Sequence, residues 1–263
     1  MNTRKNRLII ALLIGGLLAG CAGRNKDGDN DIEVRYSRGM KRFEKGKWLK
    51  ASEDFNWVVL NNPAGNLAAE AQYYYAECAY QQDQFVEAQL EFERLLRRWA
   101  STTHMLDARY RIVQSLVSQS PKYFYDQETT TASINELQLF IDDFPDTEYR
   151  VEAEELITQL RFKIAKKYYE SGRQYLKWRQ SDAARIYLET VIAQYYDTEL
   201  ADEARVGMVI SYIIEENPVG AEEYLSEESE NFTDALLKEE AEHILAQAQL
   251  GKFDLRYLKR LYK

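Results

Sequence analysis

The sequence predicts an all-α superhelical solenoid of about five antiparallel helix pairs. Aromatic and small residues recur at a fixed interval: Tyr36, Tyr73 and Tyr110 are each 37 residues apart, and the same shift places Phe43 on Tyr80, Trp48 on Phe85, Ala51 on Ala88 and Phe55 on Phe92. Tyr36 and Phe43, like Tyr73 and Tyr80, stand seven residues apart, which is two helical turns, and so share a face. Only 4 Pro and 12 Gly are spread over 263 residues, so breakers are sparse and long helices are favoured.

The first element is a leader. Arg4, Lys5 and Arg7 precede Leu8 to Leu18, which carry no charge. About eleven apolar residues are roughly half of a membrane span and suit the apolar part of a secretory signal. Leu18-Ala19-Gly20-Cys21 resembles the lipobox of bacterial lipoproteins. That resemblance implies a signal peptide over 1–20 and cleavage before Cys21, whose thiol then carries a diacylglycerol and whose new amine carries an acyl chain. Ala22 and Gly23 follow, not an acid, so the expected address is the periplasmic face of the outer membrane of a Gram-negative bacterium. Residues 22–31 lack any large apolar side chain, and 21–31 are expected to form a lipidated tether. Ten such residues reach at most about 35 Å. Asp27, Asp29 and Asp31 alternate as in a calcium loop, but Ile32 stands where that loop requires Gly, so a solvated linker is expected.

Within the first repeat the signature is Tyr36-x-x-Gly39, Gly46-Lys47-Trp48, Ala51, Phe55 and Pro63. This pattern is similar to the tetratricopeptide repeat, a helix pair of about 34 residues. Gly39 and Ala51 are small where two helices cross, Trp48 and Phe55 fill the space beside the crossing, Gly46 permits the turn and Pro63 ends the second helix. Three such units account for a front half over 32–147. The third carries an extended loop, Ser120 to Thr131, dense in aromatics and longer than a repeat turn requires. Phe144-Pro145-Asp146-Thr147-Glu148 is echoed 51 residues later by Tyr195-Tyr196-Asp197-Thr198-Glu199, where Asp or Thr is expected to cap the following helix. Nothing but Gly172 interrupts Glu148 to Lys177, which predicts one connecting helix of about 45 Å. Tyr169-x-x-Gly172 with Ala184 and Leu188 marks a fourth unit near 165–198. A weaker fifth uses Ala201–Tyr212, Asn217-Pro218, Ala221 and Leu225. Leu236 to Leu250 is predicted to close the back half, 148–250, and 251–263 form a short basic-apolar tail.

Charge and chemistry exclude several functions. Removing residues 1–20 takes three of the 34 Lys and Arg and none of the 43 Asp and Glu, leaving a net charge of −12, the wrong sign for a nucleic acid partner. His104 and His243 are the only histidines and neither lies in a ligand-type cluster, so neither a metal nor a catalytic residue is assigned. Cys78 sits in helical Tyr75-Ala76-Glu77-Cys78-Ala79 and reads as a buried thiol. The remaining signal is a ladder of rings, Tyr36, Phe43, Tyr73, Tyr80 and Tyr110, a candidate peptide-binding groove with inter-repeat core as the alternative. The loop residues Tyr123, Tyr125, Asp126 and Gln127 form the second candidate, with gap-filling between repeats as the alternative.

Ser120-Pro121, Tyr123, Asp126-Gln127 and Thr129 or Thr130, together with Phe140-Ile141-Asp142-Asp143-Phe144-Pro145-Asp146-Thr147, Lys166-Lys167-Tyr168-Tyr169 and Ala183-Ala184-Arg185-Ile186-Tyr187, resemble the BamD family of outer membrane assembly lipoproteins. The resemblance is best over 105–205 and departs at Tyr196, where the family's repeat has Pro. It implies a non-enzymatic scaffold and receptor for outer membrane β-barrel assembly, with no cofactor beyond the lipid on Cys21. The implied partners are the periplasmic domains of the central barrel subunit, C-terminal segments of unfolded outer membrane proteins, other assembly lipoproteins, and the membrane through the anchor. The alternative is another repeat lipoprotein serving pilus or cell-wall assembly.

Overall fold

The computed structural model describes residues 30–251. The expectations for the signal peptide, for Cys21, for most of the tether and for the tail from 252 lie outside the described residues. Among these residues there are eleven helices and no strand: α1 Ile32–Phe43, α2 Trp48–Asn61, α3 Ala68–Tyr80, α4 Phe85–Arg98, α5 Met105–Ser118, α6 Glu128–Asp143, α7 Arg150–Lys177, α8 Ser181–Gln194, α9 Leu200–Ile214, α10 Pro218–Glu228 and α11 Ala235–Gln249. The fold is an all-α tetratricopeptide-type array.

Four of the five helix pairs close in the same way, the exception being α5–α6 with its loop over 119–127. At the α1–α2 turn the Gly46 N–H donates to the Phe43 carbonyl and the Lys47 N–H to that of Arg42, while Gly46 takes φ +65°. The two bonds and the left-handed residue are the Schellman stop of a helix. The motif returns three times, with Asp83 (φ 58°), Arg179 (φ 58°) and Glu216 (φ 57°) in the place of Gly46. Only the first turn carries the residue that this conformation favours, so the sequence announces one turn of the four. The connections from one pair to the next are also uniform: Gly65, Thr102, Thr147 and Thr198 each accept through their carbonyl from the N–H three residues on. The expected caps at Asp146 or Thr147 are replaced by this turn. Thr147 Oγ1 accepts from the Tyr149 N–H, and Tyr149 itself is the cap residue of α7.

The crossings explain the small residues. A Cβ on Gly39 would lie 2.8 Å from Cε1 of Phe55, and one on Gly172 would lie 2.8 Å from Leu188 and 3.3 Å from the Ala184 carbonyl oxygen. The 37-residue shift is preserved in ring geometry: Tyr36–Phe55 centroids stand 5.8 Å apart at 59°, and Tyr73–Phe92 stand 5.7 Å apart at 60°.

Two compact units divide within α5, between Ser115 and Leu116. In the first, Ala51, Phe55, Val58 and Ala71 form one apolar centre and Ala76, Ala88, Phe92, Leu95 and Ala108 a second. In the second, α7 is 28 residues long, about 42 Å at the helical rise, close to the length expected for Glu148 to Lys177, and it lies wholly within this unit. α6 packs on α7, while α9 is packed by α7, α8, α10 and α11. Burial of α9 on nearly all sides explains why its Val206-Gly207-Met208-Val209-Ile210 stretch departs from the repeat signature. Asp202 of α9 ties in the closing helix. Its Oδ2 accepts from the Thr233 N–H, the Thr233 hydroxyl and the Asp234 N–H at 2.7–2.8 Å, and its Oδ1 accepts from Arg205 at 2.8 Å. Burial pulls this carboxyl upward, but the four donors outweigh it and hold it below the usual range.

Replacing Gly46 with Ala is expected to cost about 1 kcal/mol, whereas Asp83→Gly and Glu216→Gly should each be neutral to stabilising by up to about 1 kcal/mol, as read from urea midpoints. Because the folded Asp202 carboxyl lies below its unfolded value near 4, its contribution is present above that pH and is lost as the pH falls through the folded value. Asp202→Asn should therefore lower stability at neutral pH and flatten the acid limb of the stability curve.

Candidate functional site

The loop between α5 and α6, residues 119–127, is built as a rigid platform, and Glu128 to Thr131 belong to α6 rather than to the loop. Gln127 is buried, and its Nε2 donates to the carbonyls of Lys122, Tyr123 and Tyr125 at 3.0–3.3 Å. Its Oε1 accepts from the Thr130 hydroxyl, whose oxygen lies 2.6 Å from Ser120 Oγ, and Lys163 Nζ donates to that serine at 2.9 Å. With the Thr130 proton given to Gln127, Ser120 is the donor to Thr130, so one directed chain runs from Lys163 to the loop carbonyls. Burial lowers the Lys163 ammonium below the ordinary lysine range. Two further lysines on the same face of α7 hold the loop: Lys166 stands 5.1 Å from the Tyr123 ring centroid, and Lys167 donates to the Tyr125 carbonyl at 3.0 Å. Asp126 is exposed and closes the turn by accepting from the Glu128 N–H. Phe124 and Tyr125 are left 57% and 59% exposed with their rings 4.6 Å apart. Phe124 escaped the sequence assignment because only tertiary burial of Gln127 decides which ring turns outward.

The ladder rings stand among the helix contacts. Tyr36 and Phe43 pack on the centre around Phe55, while Tyr73 and Tyr80 pack on the centre around Phe92. The adjacent Tyr73 and Tyr74 rings, 5.4 Å apart, join the two. Tyr73 stacks on His104 at 4.1 Å, and Arg111 lies 4.6 Å above the Tyr80 ring. Tyr110 is 3% exposed, whereas the other four are half-buried. The Tyr36 hydroxyl is raised well above the usual tyrosine range by burial and by its hydrogen bond to Glu70. Tyr169, its counterpart in the fourth repeat, donates to Glu203 at 3.2 Å. In both repeats the partner carboxylate is 34 residues on, in the first helix of the next pair, so these hydroxyls link repeats.

A second row of rings lies on α7 and α8. Trp178–Tyr175, Tyr175–Tyr187, Tyr187–Tyr168 and Tyr168–Tyr195 follow one another at 5.3–6.4 Å, and Arg161 lies 5.3 Å from Tyr195. The seven-residue spacing of Tyr168 and Tyr175 is the signal that identified Tyr36 and Phe43, and it would have found this row. Cys78 is buried and free, and burial raises its thiol to about 12, which leaves it unreactive at neutral pH. Among the described residues no cluster of three His, Cys, Asp or Glu is placed to hold a metal, and no helix is long and apolar enough to cross a membrane.

Residues 28–223 match the YfiO family of outer membrane lipoproteins, which covers most of the chain, both aromatic rows and the pinned loop. The chain belongs to the YfiO family. Two relatives within reach of this YfiO-family chain are each 26% identical to it and are both named outer membrane protein assembly factor BamD. The Caulobacter vibrioides protein aligns over 210 residues, 78% of this chain and 69% of its own length. That of Rickettsia prowazekii aligns over 211 residues, 79% of this chain and 84% of its own length. Among solved structures, the chain is similar to YrrB, a tetratricopeptide protein with an unusual peptide-binding site, at 18% identity and a TM-score of 0.33, covering 83% of this chain and 95% of YrrB. The YfiO match ends at residue 223, within α10, where the repeat signature is also weakest.

Gln127→Ala removes the donor to three loop carbonyls and the acceptor of Thr130. It is expected to cost about 1–3 kcal/mol and to speed amide hydrogen exchange over 119–127 while leaving α1–α4 protected.

Proposed function

We propose that this YfiO-family chain is a non-enzymatic scaffold and receptor in outer membrane β-barrel assembly, anchored through lipid on Cys21 to the periplasmic face of the outer membrane. The two relatives named as assembly factors support the process. The binding role rests on one observation: the loop over 119–127 has its backbone pinned from beneath and holds Phe124 and Tyr125 outward. Paired rings that are already ordered lose little further entropy when a partner buries them, and aromatic side chains of this kind dominate interface energy.

In this reading the second unit holds the periplasmic domains of the central barrel subunit, with the Phe124–Tyr125 pair as its anchor. The first unit receives the C-terminal segment of an unfolded outer membrane protein against the half-buried edges of Tyr36, Phe43, Tyr73 and Tyr80. Tyr110, being interior, is not part of that surface.

Affinity capture from detergent-solubilised outer membranes, with the lipidated full chain as bait, tests the proposal. The expected catch is a large barrel protein with repeated periplasmic domains, reduced about tenfold or more by Phe124→Ala with Tyr125→Ala, as the loss of two exposed aromatic anchors at 1–2 kcal/mol each would give. Pilus or cell-wall proteins in place of the barrel protein would sink it.

A further inference from the structure

The tip of the first helix hairpin is unlike the others. Residues 41–50 hold Lys41, Lys45, Lys47 and Lys50 on the surface, with Glu44 as the one carboxylate in that stretch. None of the four lysines forms an ion pair with a described residue. Leu49 stands among them 66% exposed, on the first turn of α2. The tip is itself well held. Arg42 donates to the Lys50 carbonyl at 3.0 Å and to the buried Asp54 at 2.7 Å, and Phe43 meets Trp48 edge-on at 4.8 Å. The corresponding Schellman turns carry Gln81-Gln82-Asp83-Gln84, Lys177-Trp178-Arg179-Gln180 and Ile214-Glu215-Glu216-Asn217, so this concentration of lysine belongs to the first repeat alone.

We propose that this tip is a seat for an anionic phospholipid surface, with Leu49 entering the headgroup layer and the four lysines meeting lipid phosphates. The proposal rests on the reading of Cys21 as the lipid-bearing residue, because the anchor brings the first repeat to the bilayer. The ten-residue tether reaches up to about 35 Å, and α1, with 12 residues, is about 18 Å long, so the tip at its far end can return to the membrane. A chain of net charge −12 is repelled by an anionic leaflet, and a basic tip turns that repulsion into an orientation with the tip toward the leaflet. A lysine near such a surface contributes about 1 kcal/mol, falling off within a Debye length.

The test uses the mature chain from residue 21 with Cys21→Ser, which carries no acyl group, and vesicles of phosphatidylcholine alone or mixed equally with phosphatidylglycerol. Co-sedimentation with the mixed vesicles is expected, weakening with salt and about tenfold or more weaker in Lys45→Gln/Lys47→Gln/Lys50→Gln. The matching triple Lys→Arg variant should bind like the parent, and circular dichroism should be the same for all three. Equal binding to both vesicle types, or a Gln variant that binds mixed vesicles as well as the parent, overturns the proposal. So does a parent that ignores both vesicles yet captures an acidic protein through these lysines. Mass spectrometry of wild-type Cys21 tests the anchor separately: a chain that binds vesicles but carries no acyl group would refute the anchor and leave the seat standing.

Discussion

Where the two helices of a pair cross, this protein places a small residue, as at Gly39, Ala76 and Gly172, and the packing of the array depends on that. Gly39 lets the Phe55 ring lie on the backbone of α1, and Gly172 does the same for Leu188 on α7. A Cβ at either point would fall within 3 Å of a fully buried side chain in a close-packed interior, which has no slack to yield. The close crossing brings aromatic residues on the first helix into range of the second helix of their own pair. The identical Tyr36–Phe55 and Tyr73–Phe92 geometries follow from it. The turn must then reverse the chain within four residues, which is why a left-handed residue recurs there even when it is Asp, Arg or Glu.

Polar groups stitch neighbouring elements once packing has set their distance. Tyr36 reaches Glu70 and Tyr169 reaches Glu203, so a carboxylate on the next pair satisfies a hydroxyl that would otherwise be stranded near the core. Arg111 does comparable work on Glu77, with two donors at 2.9 Å, while its guanidinium covers Tyr80. In the second unit Asp202 secures the closing helix, and Gln127 secures the loop. These groups share one logic: a buried polar side chain surrounded by several partners holds a segment that apolar contact alone leaves loose. The exposed Phe124–Tyr125 pair and the lysine tip are what that rigidity presents to the outside.

Much of the array was legible from residue spacing. The interval of 37, the Tyr-x-x-Gly signature and the uninterrupted stretch before Lys177 correspond to α1–α4, to the Gly39 and Gly172 crossings and to α7. The candidate site was legible only by composition. Gln127 stood out as part of the Asp126-Gln127 pair, but its role as the post beneath the loop depends on Thr130, Ser120 and Lys163, the last of them 36 residues away. Spacing alone gives no reason to single out Phe124 and puts Tyr110 on the ladder, although the structure exposes the first and buries the second. Both follow from which side of a ring a distant helix covers.

By itself, then, the sequence determined the periodic features: helix pairs, small residues at crossings and the long α7. These are properties of residues three, four, seven or 37 apart, and local sterics with a fixed helical rise translate them directly into structure. Tertiary structure alone decided which rings are interior, which loop carbonyls share one glutamine, that three turns accept left-handed Asp, Arg and Glu, and that the chain divides within α5. Each of those depends on atoms brought together across tens of residues, where packing and hydrogen-bond satisfaction, rather than period, select the outcome.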